Sequence, residues 1–168
     1  MVEILEATTE SQLNDVRSLF RAFVAWHRRR HVSNIHLIDR YFDSAEFERE
    51  LAELPGKYAP PQGQLLIAYD TQQPAGCVAM RDLGDGTCEM KRMFIPDSFR
   101  GKGIGRALAD RIMSAARKAG YGRMRLDTSI HQSEALGLYE RSGFTRIEPY
   151  YPLPPDLVDW LVFMEMKL

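Results

Sequence analysis

A glycine-rich turn between a strand and a helix constrains this fold more than any other feature of the sequence. The stretch FIPDSFRGKGIGRALAD, residues 94–110, predicts a strand that stops at Pro96, a turn, and then a helix. Successive backbone N–H groups in such a turn form an anion-binding concavity, and the helix N-terminus adds partial positive charge. The turn contains the glycines Gly101, Gly103 and Gly105 and the cations Arg100, Lys102 and Arg106. The sequence therefore predicts that a small anion binds here.

Two familiar phosphate-binding signatures do not match this turn. A G-x-G-x-x-G fingerprint fails because Arg106 stands where the third glycine belongs, and a P-loop fails because no Gly-Lys-Ser/Thr ends the turn. What remains is R-x-x-G-x-G, residues 100–105. Glycine at these positions lets phosphate oxygens approach the backbone without a Cβ in the way. The alternative is a glycine-rich cap of a surface helix.

Composition narrows the class of protein. A chain of 168 residues with a net charge of −1 is most economically one domain, residues 1–168, and that charge argues against a nucleic-acid partner. The basic residues cluster: ten Lys or Arg lie from Lys91 to Arg125, against only Asp97 and Asp110. No signal peptide or membrane span is expected, and Cys77 and Cys88 fit reduced thiols in the cytoplasm.

Hydrophobic periodicity predicts alternating strands and helices. The expected elements are a strand at 2–6, a helix from Thr9 to the HRRRH run at 27–31, and a helix at 44–54. Three strands joined by tight turns follow, then the glycine turn and a helix to about 119. The strand RMRLDT, the short helix SEALGLYERS and the strands FTRIE and LVFMEMKL complete the chain. This order predicts an α/β fold, a mixed and mostly antiparallel sheet flanked by helices.

The glycine turn resembles the coenzyme A signature of the GNAT superfamily of acetyl-CoA-dependent N-acyltransferases. That family carries R/Q-x-x-G-x-G/A after its fourth strand. A second family signature, A-x-x-L-Y-x-x-x-G-F, matches Ala135, Leu138, Tyr139, Gly143 and Phe144. The two signatures occur in the family's order, one strand apart, and the resemblance extends over residues 65–150.

The resemblance implies a role for each matching position. Acetyl-CoA would be the co-substrate, with its pantetheine arm paired to the backbone of Met93, Phe94 and Ile95. Gln132 stands where the family often has Asn, and it would hydrogen-bond the same arm. The pyrophosphate would be held by the backbone and side chains of Arg100, Gly101, Lys102, Gly103, Ile104, Gly105 and Arg106.

Acyl transfer to an amine requires a proton donor for the thiolate, an oxyanion donor and a proton acceptor. Tyr139 is the candidate acid, because a phenol with a pKa near ~10 is protonated at neutral pH; the alternative is a core aromatic. The backbone N–H of Phe94 is the candidate oxyanion donor. Glu89 is the candidate base, and strand alternation puts it on one face with Lys91 and Met93. Two alternatives to this role stay open. Glu89 could form an ion pair with Arg81 or Arg125, and a chain of waters could replace any base.

These patterns predict an N-acetyltransferase that acts by direct attack in a ternary complex, without a metal. His27 and His31 stand four residues apart on a helix but have no third ligand, so we expect a solvated helix end there. The acceptor is predicted to be a primary amine of a small molecule, under a roof of aromatics from 36–42 and 149–160. A protein or peptide acceptor, and a non-catalytic acyl-CoA-binding module, are the alternatives. The chain is expected to be a monomer or a homodimer.

Overall fold

The computed structural model describes residues 1–168 as one seven-stranded sheet with helices on both faces. The strand order is β1-β2-β3-β4-β5-β7-β6. The strands are β1 (Val2–Glu6), β2 (Gln64–Asp70), β3 (Gln73–Gly84), β4 (Thr87–Phe94), β5 (Arg123–Ser129), β6 (Thr145–Ile147) and β7 (Leu161–Lys167). The helices are α1 (Glu10–Arg30), α2 (Ile35–Tyr41), α3 (Ser44–Glu53), α4 (Ile104–Lys118), α5 (Ser133–Ser142) and α6 (Pro155–Trp160).

All neighbouring strands pair antiparallel except β4 and β5, which run parallel. The mixed, mostly antiparallel sheet is therefore confirmed. The helix α4 is the crossover that a parallel pair needs. The capping box at the start of α1 is also present, with Thr9 accepting from the Gln12 backbone and the Gln12 side chain accepting from the Thr9 backbone.

The sheet separates two hydrophobic cores. One face carries α1, α2, α3 and α6, whose buried side chains include Phe20, Ile38, Leu51 and Trp160. The other face carries α4 and α5 and buries residues such as Leu108. No helix is both long enough and apolar enough to span a bilayer.

A β-bulge at Arg92 interrupts β4. Cys77 of β3 pairs with Phe94 and Ala79 pairs with Lys91, so β4 has one residue more than its partner over this interval. Arg92 has a φ of +58°, as expected of the extra residue in a bulge. The strict alternation expected for residues 89, 91 and 93 is therefore wrong, because Met93 packs against the core on the opposite face.

The two halves of the sheet separate beside this bulge. β4 pairs with β5 only over Thr87–Glu89, opposite Arg123–Arg125. Beyond that point neither strand has a partner on the inner side: residues 90–94 pair only with β3, and residues 126–129 only with β7. A V-shaped gap is thus open in the middle of the sheet.

Two short helices were absent from the sequence-based prediction. α2 has seven residues and α6 has six, and neither has a side-chain hydrogen bond at its N-cap. Both lie in the aromatic segments that were expected to roof a pocket. Helices this short are held by tertiary packing rather than by intrinsic propensity, so periodicity reveals them poorly.

Candidate active site

The glycine turn forms the wall of an open groove. Gly101 and Gly103 both have a φ of +78°, a left-handed conformation that favours glycine, and Gly103 is the N-cap of α4. A Cβ at either position would meet no atom within 4 Å, so the backbone faces open space. The first N–H groups of α4 have no intrahelical acceptors and are available to an anion.

Two of the three cations of the turn, Arg100 and Arg106, line this groove, and Lys102, also predicted to bind the coenzyme, does not. Arg100 lies over the Trp26 ring at 4.5 Å and donates to the Ile95 carbonyl. Lys102 pairs with Asp70 at 2.8 Å, and Arg106 with Asp110 across one helical turn. These pairs are exposed and therefore weak, so the side chains are free to turn towards an anion. The predicted coenzyme-binding residues that line the groove are Met93, Phe94, Ile95, Arg100, Gly101, Gly103, Ile104, Gly105, Arg106 and Gln132.

A second cavity lies in the gap between β4 and β5, and it continues the groove. Phe23, Met93 and Gln132 line both spaces. The cavity wall also contains Tyr139, one of the predicted catalytic residues. A ligand that lies along the groove can therefore extend one end into the gap between the strands.

Tyr139 lies on α5 with 6% of its surface exposed. Its ring packs edge-on against Phe144, in the L-Y-x-x-x-G-F segment that Gly143 ends with a φ of +108°. Burial, and then the charge of Asp127, raise the pKa of the Tyr139 phenol well above its usual value. The side chain is thus both part of the core and part of the cavity wall, and its hydroxyl is protonated at neutral pH.

Glu89, the candidate base, does not line the cavity. Only 1% of its surface is exposed, and its two oxygens accept hydrogen bonds from Arg81, at 2.8 Å, and from the Tyr150 hydroxyl. Burial opposes its charge, but Lys91, Tyr150 and Arg81 hold the pKa of Glu89 below its usual range. Of the two ion pairs that the sequence left open for Glu89, the structure has the one with Arg81.

His27 is buried, so the prediction of a solvated helix end is wrong. Its ring is 2% exposed and packs against Phe23, Trp26 and Phe42, with centroids 4.6 to 5.9 Å apart. Burial first, then neighbouring positive charges, lower the pKa of His27 to about 3. Its Nε2 lies 3.2 Å from the side-chain amide of Gln132, so a neutral imidazole contacts one of the predicted coenzyme-binding residues.

Sequence analysis missed a carboxylate in the cavity. Asp127 follows the point where β5 leaves β4, and it accepts hydrogen bonds from Tyr41 of α2 and from Tyr151 of the loop before α6. Both phenols lie far from Asp127 in sequence. The available signal was weak: the alternation of RMRLDT places Asp127 on one face with Arg125, which suggests a solvent-exposed face.

The cavity has another opening on the side of α3. Tyr41, Phe42, Lys91 and Arg92 line both the cavity and this opening, which encloses about 340 Å³. Small-molecule sites typically enclose ~300–1,000 Å³. The two expected roof segments meet at the cavity, which Tyr41, Phe42 and Trp160 line, and the pair of Arg40 with Asp156 joins α2 to α6. The groove, the cavity of about 50 Å³ and this opening thus adjoin one another through shared wall residues, and we call the three spaces together the passage.

No group of three or more His, Cys, Asp or Glu side chains is arranged to hold a metal ion. Cys77 and Cys88 are free and buried, and burial raises the pKa of each thiol, so neither is an activated nucleophile. The reactive groups of the passage are therefore phenols, carboxylates, an amine and backbone amides.

Comparison with known proteins agrees with this geometry. The model of the acetyltransferase (GNAT) family matches residues 19–144. An N-acetyltransferase of Schizosaccharomyces pombe is 39% identical over 121 residues, which cover 71% of this chain and 72% of the relative. An IAA acetyltransferase of Azospirillum brasilense is 37% identical over 111 residues, which cover 66% of this chain and 71% of that relative.

A solved structure extends the likeness to the whole fold. A GNAT-family acetyltransferase of Staphylococcus aureus superposes with a TM-score of 0.76 over 99% of each chain, at 20% identity. That identity shows the fold alone, whereas the family model covers most of the chain and includes both signatures. The chain therefore belongs to the GNAT family of acetyltransferases, and it is an acyltransferase with acetyl-CoA as its co-substrate.

Proposed function

We propose that this protein transfers an acetyl group from acetyl-CoA to the primary amine of a small molecule, by direct attack in a ternary complex. The observation that carries the proposal is the passage through the split sheet. One opening presents glycine backbone and cations, the other is polar and separate, and Tyr139 lies between them. Two substrates that enter from opposite ends meet at one point without a covalent enzyme intermediate.

The chain's own groups suit each part of the reaction. The turn from Arg100 to Arg106 and the N-terminus of α4 hold the pyrophosphate of acetyl-CoA. The unpaired side of β4, at Met93 to Ile95, binds the pantetheine arm as an added strand. Gln132, the N-cap residue of α5, forms a hydrogen bond with the same arm. In this assignment backbone donors position acetyl-CoA, and the charged side chains strengthen its binding.

Three groups act on the reacting atoms. The Phe94 N–H is the proposed donor to the oxyanion formed when the amine attacks the thioester carbonyl. In this structure that N–H faces the Cys77 thiol of β3, so it exchanges this contact for the oxyanion during the reaction. The Tyr139 hydroxyl donates towards the departing sulfur. Since Glu89 is enclosed by Arg81 and Tyr150, and neither Glu89 nor Tyr150 lines the cavity, the amine's proton leaves through water in the passage rather than to Glu89.

The roof supports a small acceptor over a folded protein or a long peptide. Tyr41, Phe42 and Trp160 close the cavity on the side of α2 and α6. Asp127 fixes this roof, because it binds Tyr41 from one segment and Tyr151 from the other. A peptide would need an open groove in place of these contacts.

We further propose a cytoplasmic location, where the two buried thiols stay reduced, and a monomer or homodimer.

Thiol release from acetyl-CoA tests the proposal. The purified protein is incubated with amino acids, polyamines, aminoglycosides and short peptides, one at a time, and free coenzyme A is measured. We expect release with one group of small primary amines and attachment of acetyl to their nitrogen by mass spectrometry. Release with peptides alone would contradict the small-molecule acceptor, and release with no amine would contradict amine acetylation altogether.

A further inference from the structure

Two charged side chains in the cavity, Asp127 and Lys91, have no hydrogen-bonded partner of opposite charge. Asp127 accepts only from the neutral hydroxyls of Tyr41 and Tyr151, and it forms no ion pair. Lys91 has its nearest carboxylate oxygen, in Glu89, at 3.7 Å, beyond a hydrogen bond. Other charges of this region are closely paired: Arg92 Nε lies 2.9 Å from Glu50, and Arg81 Nε 2.8 Å from Glu89.

The lack of a hydrogen-bonded partner has a cost for Lys91. The Lys91 side chain is only 15% exposed, and burial lowers its pKa although Asp127 and Glu89 favour the charged form. A charge held away from water without a hydrogen-bonded partner is unfavourable. A ligand with one positive and one negative group would provide partners for both side chains and add no net charge to the cavity.

The two side chains are arranged in order along the passage. Asp127 and Tyr139 both line the cavity, and neither lines the opening beside α3. Lys91 lines both the cavity and the opening beside α3, so it stands at the outer end. A positive group bound at Asp127 therefore lies nearer the reaction centre, and a negative group bound at Lys91 lies nearer the entrance.

We propose that the acceptor is an amino acid, with its ammonium group bound by Asp127 and its carboxylate bound by Lys91. The inference rests on the proposed function. A single ammonium suits a carboxylate better than a phosphate dianion, which proteins usually hold with several donors. A peptide N-terminus has no carboxylate next to its amine, so it leaves Lys91 without a partner and is a poor acceptor.

The proton and electron balance of the reaction is complete with these groups. The bound ammonium loses one proton to water in the passage, and the neutral nitrogen attacks the thioester carbonyl to form the C–N bond. When the C–S bond breaks, the Tyr139 hydroxyl donates a hydrogen bond to the sulfur, and the nitrogen's second proton reaches the sulfur in one relay through water and this hydroxyl, without a free tyrosinate. The proton lost from the ammonium is the one released in each turnover.

Matched acceptors test the inference. For each amino acid, kcat/KM is measured beside its decarboxylated amine and its carboxamide. The carboxamide is the less basic amine and more of it is unprotonated at neutral pH, so a preference for the amino acid reports recognition rather than reactivity. We expect at least one amino acid to exceed both analogues by ~10- to 100-fold, as for a hydrogen bond to a charged group.

Variants of Lys91 separate recognition from folding. Lys91→Met keeps an unbranched buried chain and should lower kcat/KM for the amino acid to the level of its amine, while Lys91→Arg restores part of the preference. Lys118→Met, at the exposed end of α4, is the matched control and should keep the preference. Asp127→Asn keeps one acceptor oxygen for one tyrosine, and its amide N–H can donate to the hydroxyl oxygen of the other. Because its charge is gone, this variant should raise KM for amino acids and amines alike.

Equal rates with amines and amino acids in the wild type would overturn this inference and leave the proposed function standing. An active Lys91→Met protein with an unchanged preference would overturn it too. The absence of thiol release with every amine would overturn the proposed function and this inference together.

Discussion

At the scale of single residues, burial changes what the Tyr139 hydroxyl does. Its pKa is raised by burial and by Asp127, whereas a thiol has a pKa near ~8.5. Full proton transfer from this phenol to a thiolate is therefore uphill by about 1.4 kcal/mol for each unit of difference. We expect Tyr139 to act mainly by donating a hydrogen bond to the sulfur as charge develops, with its proton restored from the amine.

Tyr139→Phe is expected to lower kcat and to leave acetyl-CoA affinity within a few-fold of wild type, because the ring and its packing stay. The loss should be ~10- to 100-fold, at the low end for acid catalysis. Because the Tyr139 phenol stays protonated, its deprotonation should not lower the wild-type kcat as the pH rises to ~10. Steady-state kinetics against pH measure both effects. An acyl donor with a more acidic thiol should shrink the defect, and a defect of constant size would contradict the assignment.

His27 should make stability fall at acid pH. Its pKa is about 3 in the fold, against 6.5 when unfolded, so the unfolded chain binds the extra proton between these values. The stabilising effect of the neutral ring is complete above pH 6.5 and is lost as pH falls towards 3. We expect the free energy of unfolding to fall by up to about 1.4 kcal/mol for each pH unit of acidification. Urea denaturation of the wild type and His27→Leu from pH 7 to 5 measures the slope, and identical slopes would refute the assignment.

Residue roles were predictable where they follow from a local pattern. The glycine turn and the L-Y-x-x-x-G-F segment identified the groove and Tyr139 because each is contiguous in sequence. Asp127 was not predictable, since its partner Tyr41 lies 86 residues away. The burial of His27 depends on Phe42 and Gln132, which come from other elements. Long-range contacts of this kind leave no periodic signal.

At the scale of elements, the prediction succeeded where a helix or strand has its own stop signal. α1 begins at its capping box, and α5 ends at Gly143 with a left-handed conformation. The bulge in β4 has no such signal. Arg92 is held there by Glu50 of α3 and by the rings of Phe42 and Phe47, 5.0 and 5.6 Å from its guanidinium carbon. Its sequence neighbours alone predict a regular strand.

The glycine turn permits a test at the scale of one helix. Gly103→Val should abolish the rise in Tm that acetyl-CoA produces, because a branched side chain blocks the backbone from the pyrophosphate. Gly120→Val, beyond the other end of α4, is the matched control: φ is +92° and a Cβ there also meets open space. Both variants should be destabilised by the strained backbone, so only the ligand-induced shift separates them. An undiminished shift in folded Gly103→Val would put the phosphate site elsewhere.

At the scale of the whole molecule, a buried ion pair joins the helical layer to the sheet. Arg92 of β4 binds both oxygens of Glu50 in α3, at 2.9 and 3.2 Å, and both side chains are about 10% exposed. Burial opposes the charge of Glu50, but Arg92 and Lys57 lower its pKa to about 2. The position of α3, and with it the second opening of the passage, depends on this pair.

Glu50→Gln should destabilise the protein by about 3–5 kcal/mol, because it leaves the Arg92 charge buried and uncompensated. The double variant Glu50→Met with Arg92→Met should recover part of that loss, since two apolar side chains need no partner. The recovery is incomplete because the buried Tyr58 hydroxyl loses Glu50 as its acceptor. Chemical denaturation of the three proteins measures the free energies of unfolding. If the single and double variants are equally destabilised, the pair contributes packing rather than charge balance.

We expect the open gap between β4 and β5 to make the stability of this enzyme depend on its bound substrate. Two strand edges with unsatisfied backbone groups lie inside the sheet, and such edges are the places where sheets open and where other chains add. A ligand that occupies the gap stabilises the native state by mass action, about 2.7 kcal/mol at a hundred times its Kd. The amide hydrogens of β4 and β5 should therefore exchange with solvent at rates set by the acetyl-CoA concentration, and a cell short of acetyl-CoA would hold this protein in its most easily degraded form.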